Sequence, residues 1–193
     1  YYRKTSDLLN NITTPMGNNF SNTVISNVGN MKNMGVEFNL NFIPIEKQDM
    51  RWTINVNGTY QKTEITKLTN DDSTYLGVQT GANMGGTGGY TSLHRVGYAP
   101  YTYYLYQQAY DENGKAIQNV LVDRDGDGSI TEADRYVTGK SITPKFFFGL
   151  SSQFTYKKWD FGFNAHGSFG GYALNRIAMN NSSAFSDDYT KGY

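Results

Sequence analysis

The 193-residue chain contains no cysteine, which removes disulfides and thiolate chemistry while leaving its compartment open. It has no net charge, with 17 Lys and Arg against 17 Asp and Glu, so the basic face that a nucleic-acid partner demands is missing. No run of about 18 apolar residues occurs, which excludes a transmembrane helix. No signal peptide opens the chain, and YYRKTSDLL at 1–9 reads as the tail of an element already under way. Sustained helical spacing of apolar residues is absent as well. What the chain has instead is 16 Tyr, 11 Phe and 21 Gly. Heavy aromatic, Gly, Asn and Thr usage without helical periodicity predicts an all-β fold.

Four segments carry the decisive pattern, a strict alternation of apolar and polar residues. In GVEFNLNF (35–42), Val36, Phe38, Leu40 and Phe42 alternate with Glu37, Asn39 and Asn41. In WTINVNGTYQ (52–61), Trp52, Ile54, Val56, Gly58 and Tyr60 alternate with Thr53, Asn55, Asn57, Thr59 and Gln61. FFFGLSSQFTY (146–156) sets Phe146, Phe148, Leu150, Ser152, Phe154 and Tyr156 against Phe147, Gly149, Ser151, Gln153 and Thr155. WDFGFNAHGSF (159–169) sets Trp159, Phe161, Phe163, Ala165, Gly167 and Phe169 against Asp160, Gly162, Asn164, His166 and Ser168. Each is a two-faced strand of about the ten residues that a tilted transmembrane strand needs.

A soluble β-sandwich alternates too, and the polar face separates the two cases. Roughly a quarter to a third of a soluble surface is Lys, Arg, Glu or Asp. Here only Glu37 and Asp160 are charged among the polar-face positions. Asn, Thr, Ser, Gln and Gly suit a confined, hydrated lumen, with the aromatic and aliphatic face toward lipid. Trp52 and Trp159 follow the charged stretches PIEKQDMR and Lys157-Lys158, where they would form an interfacial girdle.

Loop lengths set the topology, because outer-membrane barrels have short periplasmic turns and long extracellular loops. With IEKQDM and Lys157-Lys158 as the short turns, strand 34–45 descends, 51–66 ascends, 144–156 descends and 159–170 ascends. Residues 69–143 then form one large external excursion, unless an even number of further crossings lies within it. YTYYLYQQAY (101–110) would fold back outside the membrane.

That excursion carries DRDGDGSITEAD (123–134). Calcium takes six to eight oxygens, and a twelve-residue loop supplies them from positions 1, 3, 5, 7, 9 and 12, with Gly at position 6 for the sharp turn. The match is Asp123, Asp125, Asp127, Ser129 through its carbonyl, Thr131 through water and Asp134, with Gly128 at the turn. Asp in place of Glu at position 12 reaches less far, so the site is expected to be weaker or more tolerant of magnesium. A solvated acidic turn is the plainer reading, since Asp and Gly dominate turns. The flanks YQQAYDENGKAIQNVLV and RYVTGKSITP lack the helices that a sensor must reorient, so the expected role is a static clip on a long loop.

Other motifs carry less. His94 and His166 have no partners at ligand spacing and read as structural. GANMGGTGGY (81–90) lacks the Lys of a phosphate-binding loop. The pairs Asp71-Asp72 and Asp187-Asp188 do not face each other as glycosidase carboxylates do. No G-x-S-x-G elbow appears, and the expectation is a protein that is not an enzyme. The tyrosines of 98–110 suit sugar stacking and rim packing equally.

Taken in order, YYRKTSDLL (1–9), NVGNMKNMGVEFNLNF (27–42), WTINVNGTYQKTEITKL (52–68), YQQAYDENGK with DRDGDGSITEADRYVTGKSITPKFFFGL (123–150), and KKWDFGFNAHGSFGG (157–171) resemble the SusC/RagA-type TonB-dependent outer-membrane transporters, over essentially the whole chain. The resemblance implies a segment from the C-terminal half of a 22-stranded, plugged β-barrel in the outer membrane of a Gram-negative bacterium. It implies import of oligosaccharides or peptides, a SusD-like lipoprotein as lid, and energy from the TonB complex acting through parts of the chain not present here. The plug, TonB box and closing strand of that family have no counterpart in these residues, so a fragment is expected. The alternative is a soluble calcium-stabilised β-module for carbohydrate binding or adhesion.

Overall fold

The computed structural model describes residues 1–13, 23–69, 76–83 and 89–175. Its elements are β1 (Tyr2–Thr13), β2 (Thr23–Lys47), β3 (Met50–Lys67), β4 (Val78–Asn83), β5 (Tyr90–His94), β6 (Thr102–Leu105), β7 (Gln108–Tyr110), β8 (Ala116–Leu121), the single 3-10 turn η1 (Glu132–Asp134), β9 (Tyr136–Ser141), β10 (Phe146–Tyr156) and β11 (Trp159–Phe169). The all-β, antiparallel expectation holds. No helix among the described residues is long and apolar enough to cross a membrane.

Five strands form one sheet in the order β1-β2-β3-β10-β11. Because residues directly opposite each other share a face, the registers decide whether the four alternating segments act together. They do. Leu40, Val56, Leu150 and Ala165 make one row, and Phe42, Ile54, Ser152 and Phe163 the next. Asn41, Asn55, Ser151 and Asn164 make the row between them on the other face. In the row Phe38, Gly58, Phe148, Gly167, each Phe ring lies where a Cβ on the neighbouring glycine would stand. Glycine is needed there for the ring to lie flat across the strand.

The polar face is stitched by side chains. Asn41 Nδ2 donates to Asn55 Oδ1, Asn55 Nδ2 donates to Ser151 Oγ at 3.2 Å, and Thr155 Oγ1 donates to Asp160 Oδ1 at 2.7 Å. On the apolar face the polar edge of Trp52 is satisfied, its Nε1 donating to Ser152 Oγ at 2.9 Å. Trp159 stacks on Phe161 with ring centroids 6.3 Å apart.

β2 runs well beyond the alternating segment, from Thr23 rather than 34. Its extra length lacks amphipathic alternation and is held by pairing with β1, Ile12 facing Val24 and Thr5 facing Met31. The irregularity between Thr5 and Leu8 puts Asp7 at φ 59°, with its N–H donating to Asn30 Oδ1 at 3.3 Å.

β3 and β10 are direct neighbours although the chain leaves the sheet between them. The intervening residues build a cap: a four-stranded sheet β4-β5-β6-β9 and the hairpin β7-β8. Its strands have three to six residues, too few to cross a bilayer, where about nine to eleven are needed. Leu93 is fully buried at its centre, with Tyr103 and Tyr104 beside it. Backbone bonds hold the cap to the sheet's end: Ile65 N–H donates to Tyr98 O and Gly97 N–H to Ile65 O, both at 2.9 Å. Tyr172 N–H donates to Ser141 O at 2.9 Å, and Tyr103 Oη donates to Tyr172 O at 3.0 Å.

Candidate functional site

The acidic loop occupies the cap between β8 and β9. Gly126 and Gly128 adopt φ of 77° and 84°, left-handed values that glycine takes at no steric cost, and these fold the loop back on itself. Asp123 gathers the fold: Gly126 N–H donates to its Oδ1 at 2.6 Å and Gly128 N–H to its Oδ2 at 2.8 Å. Asp134 closes it from the far end, accepting from Arg124 N–H at 2.6 Å and Thr131 N–H at 2.7 Å. Thr131 and Asp134 form a reciprocal capping box on η1, satisfying two otherwise orphan donors.

Of the expected ligands, the loop brings three together. Carboxylate oxygens of Asp123, Asp125 and Asp134 lie within 4.8 Å of one another. Asp127 turns instead to Ser129, whose N–H donates to its Oδ1 at 2.7 Å. The Thr131 hydroxyl accepts from Ala133 N–H at 3.2 Å, and Ser129 is exposed. Each carboxylate oxygen that takes one N–H keeps a second lone pair, so the three clustered groups retain hard oxygen donors suited to calcium or magnesium.

Asp125 and Asp134 are electrostatically unequal. For Asp125 the strongest single influence, the N–H of Asp127, favours the carboxylate. Desolvation and the negative charges of Asp127 and Asp134 outweigh it and push the pKa up. Asp134 is pulled down by the N–H groups of Thr131 and Arg124. The surroundings of Asp134 thus favour its carboxylate form, and those of Asp125 oppose it.

Sequence reasoning passed over Arg124 and Arg135. The guanidinium of Arg124 lies 4.7 Å from the centroid of the Tyr136 ring and donates from Nη1 to Gln107 Oε1 at 2.7 Å. Arg135, next to the loop's last acid, is buried with its guanidinium 4.1 Å from the Tyr104 ring centroid. Its Nη2 donates to Tyr104 O at 2.7 Å and to Tyr90 O, and Glu132 lies 3.8 Å from Nη1. These arginines pin the loop to the cap core by stacking, which is where the planar guanidinium differs from lysine. The available signal was the spacing of Arg124, Arg135 and Tyr136 around the acids.

The remaining candidates stay apart. His94 packs edge-on to Tyr101 with centroids 4.6 Å apart, and burial lowers its pKa. His166 stands on the wall's polar face opposite Gly149. Among the described residues, the acidic loop is the one group of three or more such ligands. Asp71-Asp72, Asp187-Asp188 and residues 84–88 of the glycine-rich segment lie outside the described residues. Tyrosines 103, 106, 136 and 172 line one shallow groove of the cap, together with Thr138 and Lys140.

The fold and site define a class: an antiparallel wall with one continuous apolar face, surmounted by a cap carrying an acidic loop. The chain is 39% identical over 97% of its length to the TonB-dependent receptor SusC of Bacteroides thetaiotaomicron. It is 30% identical over 91% of its length to the TonB-dependent receptor P3 of Formosa agariphila. It spans about a fifth of those relatives, 19% and 18% of their lengths. No family model matches. Among solved structures, the RagAB peptide transporter superposes with a TM-score of 0.60 at 23% identity, over 88% of this chain and 18% of that one. The RagAB peptide importer in its open-open state gives 0.65 at 22% identity over the same shares. These matches are those of a segment of a SusC/RagA-type TonB-dependent receptor: the curated relatives are named as TonB-dependent receptors, and RagAB shares the fold.

Proposed function

We propose that this chain forms part of the wall and the outer cap of a large plugged β-barrel, of the 22-stranded kind, that imports nutrients across the outer membrane of a Gram-negative bacterium. The observation that carries the proposal is the wall's apolar face, in register across four strands and exposed at Val36, Phe38, Leu40, Phe42, Phe161 and Phe163. Apolar patches of that extent are not left in water, whereas lipid is their natural solvent. Five strands leave open edges, and unsatisfied backbone groups in lipid cost several kcal/mol each, so the wall works within a closed barrel. Because this segment contains no cysteine, no native thiol within it competes with an introduced one. Single cysteines replacing Phe163 and Asn164 in the outer-membrane protein should behave oppositely, position 163 reached by a lipid-dissolved quencher and 164 by a water-soluble maleimide. Equal labelling of both from water would overturn the barrel and favour the soluble β-module.

The same reading supplies the partners. Oligosaccharide or peptide is the cargo, a SusD-like lipoprotein covers the cap, and the TonB complex supplies energy through parts of the receptor beyond this segment. The support is the likeness to SusC and to RagAB. Purification from the outer membrane should bring the lipoprotein along, and its absence would remove that partner.

Asp123, Asp125 and Asp134, with Asp127, Ser129 and Thr131 in the coordinating positions, are the ligands for a structural calcium, or magnesium, that braces the cap. The support is the convergence of three carboxylates on a loop bent by two left-handed glycines. A cation held there would supply positive charge beside Asp125, and its role would be to brace the loop.

A further inference from the structure

The face that carries Phe38 and Val56 does not end with the last aromatic row. From Trp159 to Phe169 the strand takes ten residue steps, roughly 33 Å along its axis. At a tilt of about 40° that is roughly 25 Å along the membrane normal, the height of an outer-membrane apolar band. The top row of that band is Val36, Tyr60, Phe146 and Phe169. On the same face, the next row toward the cap is Tyr2, Met34 and Lys62, and the row after it Lys4, Lys32 and Glu64. Two and four steps past Tyr60 correspond to about 5 Å and about 10 Å along the normal, the depth at which headgroups lie.

The cations there are arranged against their own interest. Lys4 and Lys32 are directly opposite each other on paired strands, a placement that destabilises a sheet. One carboxylate stands among three lysines and pairs with two of them: Glu64 Oε1 lies 2.9 Å from Lys32 Nζ and its Oε2 3.4 Å from Lys62 Nζ. Glu64 fixes two cations without neutralising the set. Lys4 and Lys32, with Lys67 and Tyr2, line a surface recess of about 360 Å³, which is open toward the surroundings of the wall.

We propose that Lys4, Lys32 and Lys62 form a ledge that binds the phosphorylated headgroup of a lipid in the leaflet on the cap side. This rests on the membrane reading above. A lipid-borne phosphate adds the negative charge that Glu64 alone does not supply to three lysines, and its acyl chains lie down the face of Val36, Phe38 and Leu40. The aromatic row below sets the depth, and the lysines select for charge.

The test uses the complete receptor in phosphatidylcholine nanodiscs doped with lipid A, either phosphorylated or enzymatically dephosphorylated. Lipid retained through detergent extraction is counted by mass spectrometry. The receptor should retain phosphorylated lipid A, and Lys4→Gln/Lys32→Gln/Lys62→Gln should lower retention by on the order of tenfold or more, as expected from losing several near-surface cations. Each single Lys→Gln should give a smaller fall, so the result does not hinge on the triple variant. A Lys157→Gln/Lys158→Gln receptor, changed at the opposite end of the wall, should retain it in full. Equal retention by the triple variant, or retention independent of the phosphates, overturns the ledge and leaves the barrel standing. A receptor that fails to enter the bilayer at all overturns both.

Discussion

The wall and the cap are built from one chain by opposite rules. In the wall, large apolar side chains stand in the open, Val36 at 69% exposure and Phe161 at 59%, while in the cap Leu93 is at 0%. The cap buries polar groups beside its apolar ones, with Thr102, Asp134 and Arg135 all inside. Thr102 and Asp134 are hydrogen-bonded, and Arg135 is held through Nη2 while its Nε and Nη1 lack hydrogen-bond partners. The cap therefore folds as a water-soluble domain does, around a core that expels solvent. The wall has no such core across its apolar rows, and its buried Val28 and Ile65 lie at the end that meets the cap. Its stability comes from backbone ladders, side-chain pairs across strands and a solvent that accepts Phe and Val. Apolar exposure is scattered in the cap, at Ile117, Val120, Ile130 and Ile142, as on any soluble surface, whereas in the wall it forms continuous rows and assigns the solvent.

The sharpest break of the comparison is Leu93→Ala. Removing a fully buried Leu should cost about 2–5 kcal/mol, and it should fall on the cap alone. Limited proteolysis should cut residues 89–143 while the wall keeps its heat-modifiable folded band. Loss of the wall as well would show that the cap and wall are one cooperative unit. The complementary change is Val56→Arg, in the middle of the apolar face. It should impair barrel assembly by about 2–4 kcal/mol if it faces the bilayer midplane, measured as folded protein reaching the outer membrane. Normal assembly would count against the lipid-facing register.

The wall was legible in the sequence because alternation is local: Phe38, Leu40 and Phe42 announce a face without reference to any partner. The short turns implied the neighbours β2–β3 and β10–β11. The register, and the pairing of β3 with β10 across the cap, came from the structure, where slipping by one residue would send Asn55 to the side of Val56. The N-terminal part of β2 was not legible, because from Thr23 onward it is held by β1 and carries no face of its own. The cap was legible only as an excursion. Its order depends on non-local contacts, such as Arg135 reaching Tyr90 and Tyr104, that no window of sequence displays. The acids of the loop were found by spacing, whereas the diversion of Asp127 to Ser129 N–H is a matter of rotamer.

A smaller effect tests the clip within the cap. At a calcium concentration ten times Kd the bound state should gain about 1.4 kcal/mol, read as protease resistance of residues 110–143. Asp125→Ala with Asp127→Ala should abolish that gain, and a chelator that leaves the loop equally protected would remove the clip. Acid should act in two stages. Asp134, whose pKa is lowered by folding, contributes stability that is present above its unfolded pKa, about 3.9, and is lost only as pH falls through its lower folded value. Asp125, whose pKa is raised, takes up its proton first. Calcium-dependent protection should therefore vanish at a higher pH than the metal-free loop opens. Coincident losses would mean that the two acids are not unequal.

The least disruptive change probes what the wall's polar face touches. Asn55 accepts from Asn41 and donates to Ser151, so Asn55→Ala leaves two neighbours without a partner. In a hydrated lumen, water replaces the lost bonds and the cost should stay near 0.5–1.5 kcal/mol, roughly the net worth of ordinary hydrogen bonds. Were the same face in lipid or sealed in a dry sandwich, the stranded amide would carry its full desolvation cost, roughly another 1–3 kcal/mol. Denaturant unfolding of the complete barrel in detergent distinguishes the two. A small change keeps water on the Asn side and lipid on the Phe side, and a large one reverses the solvents assigned to the wall.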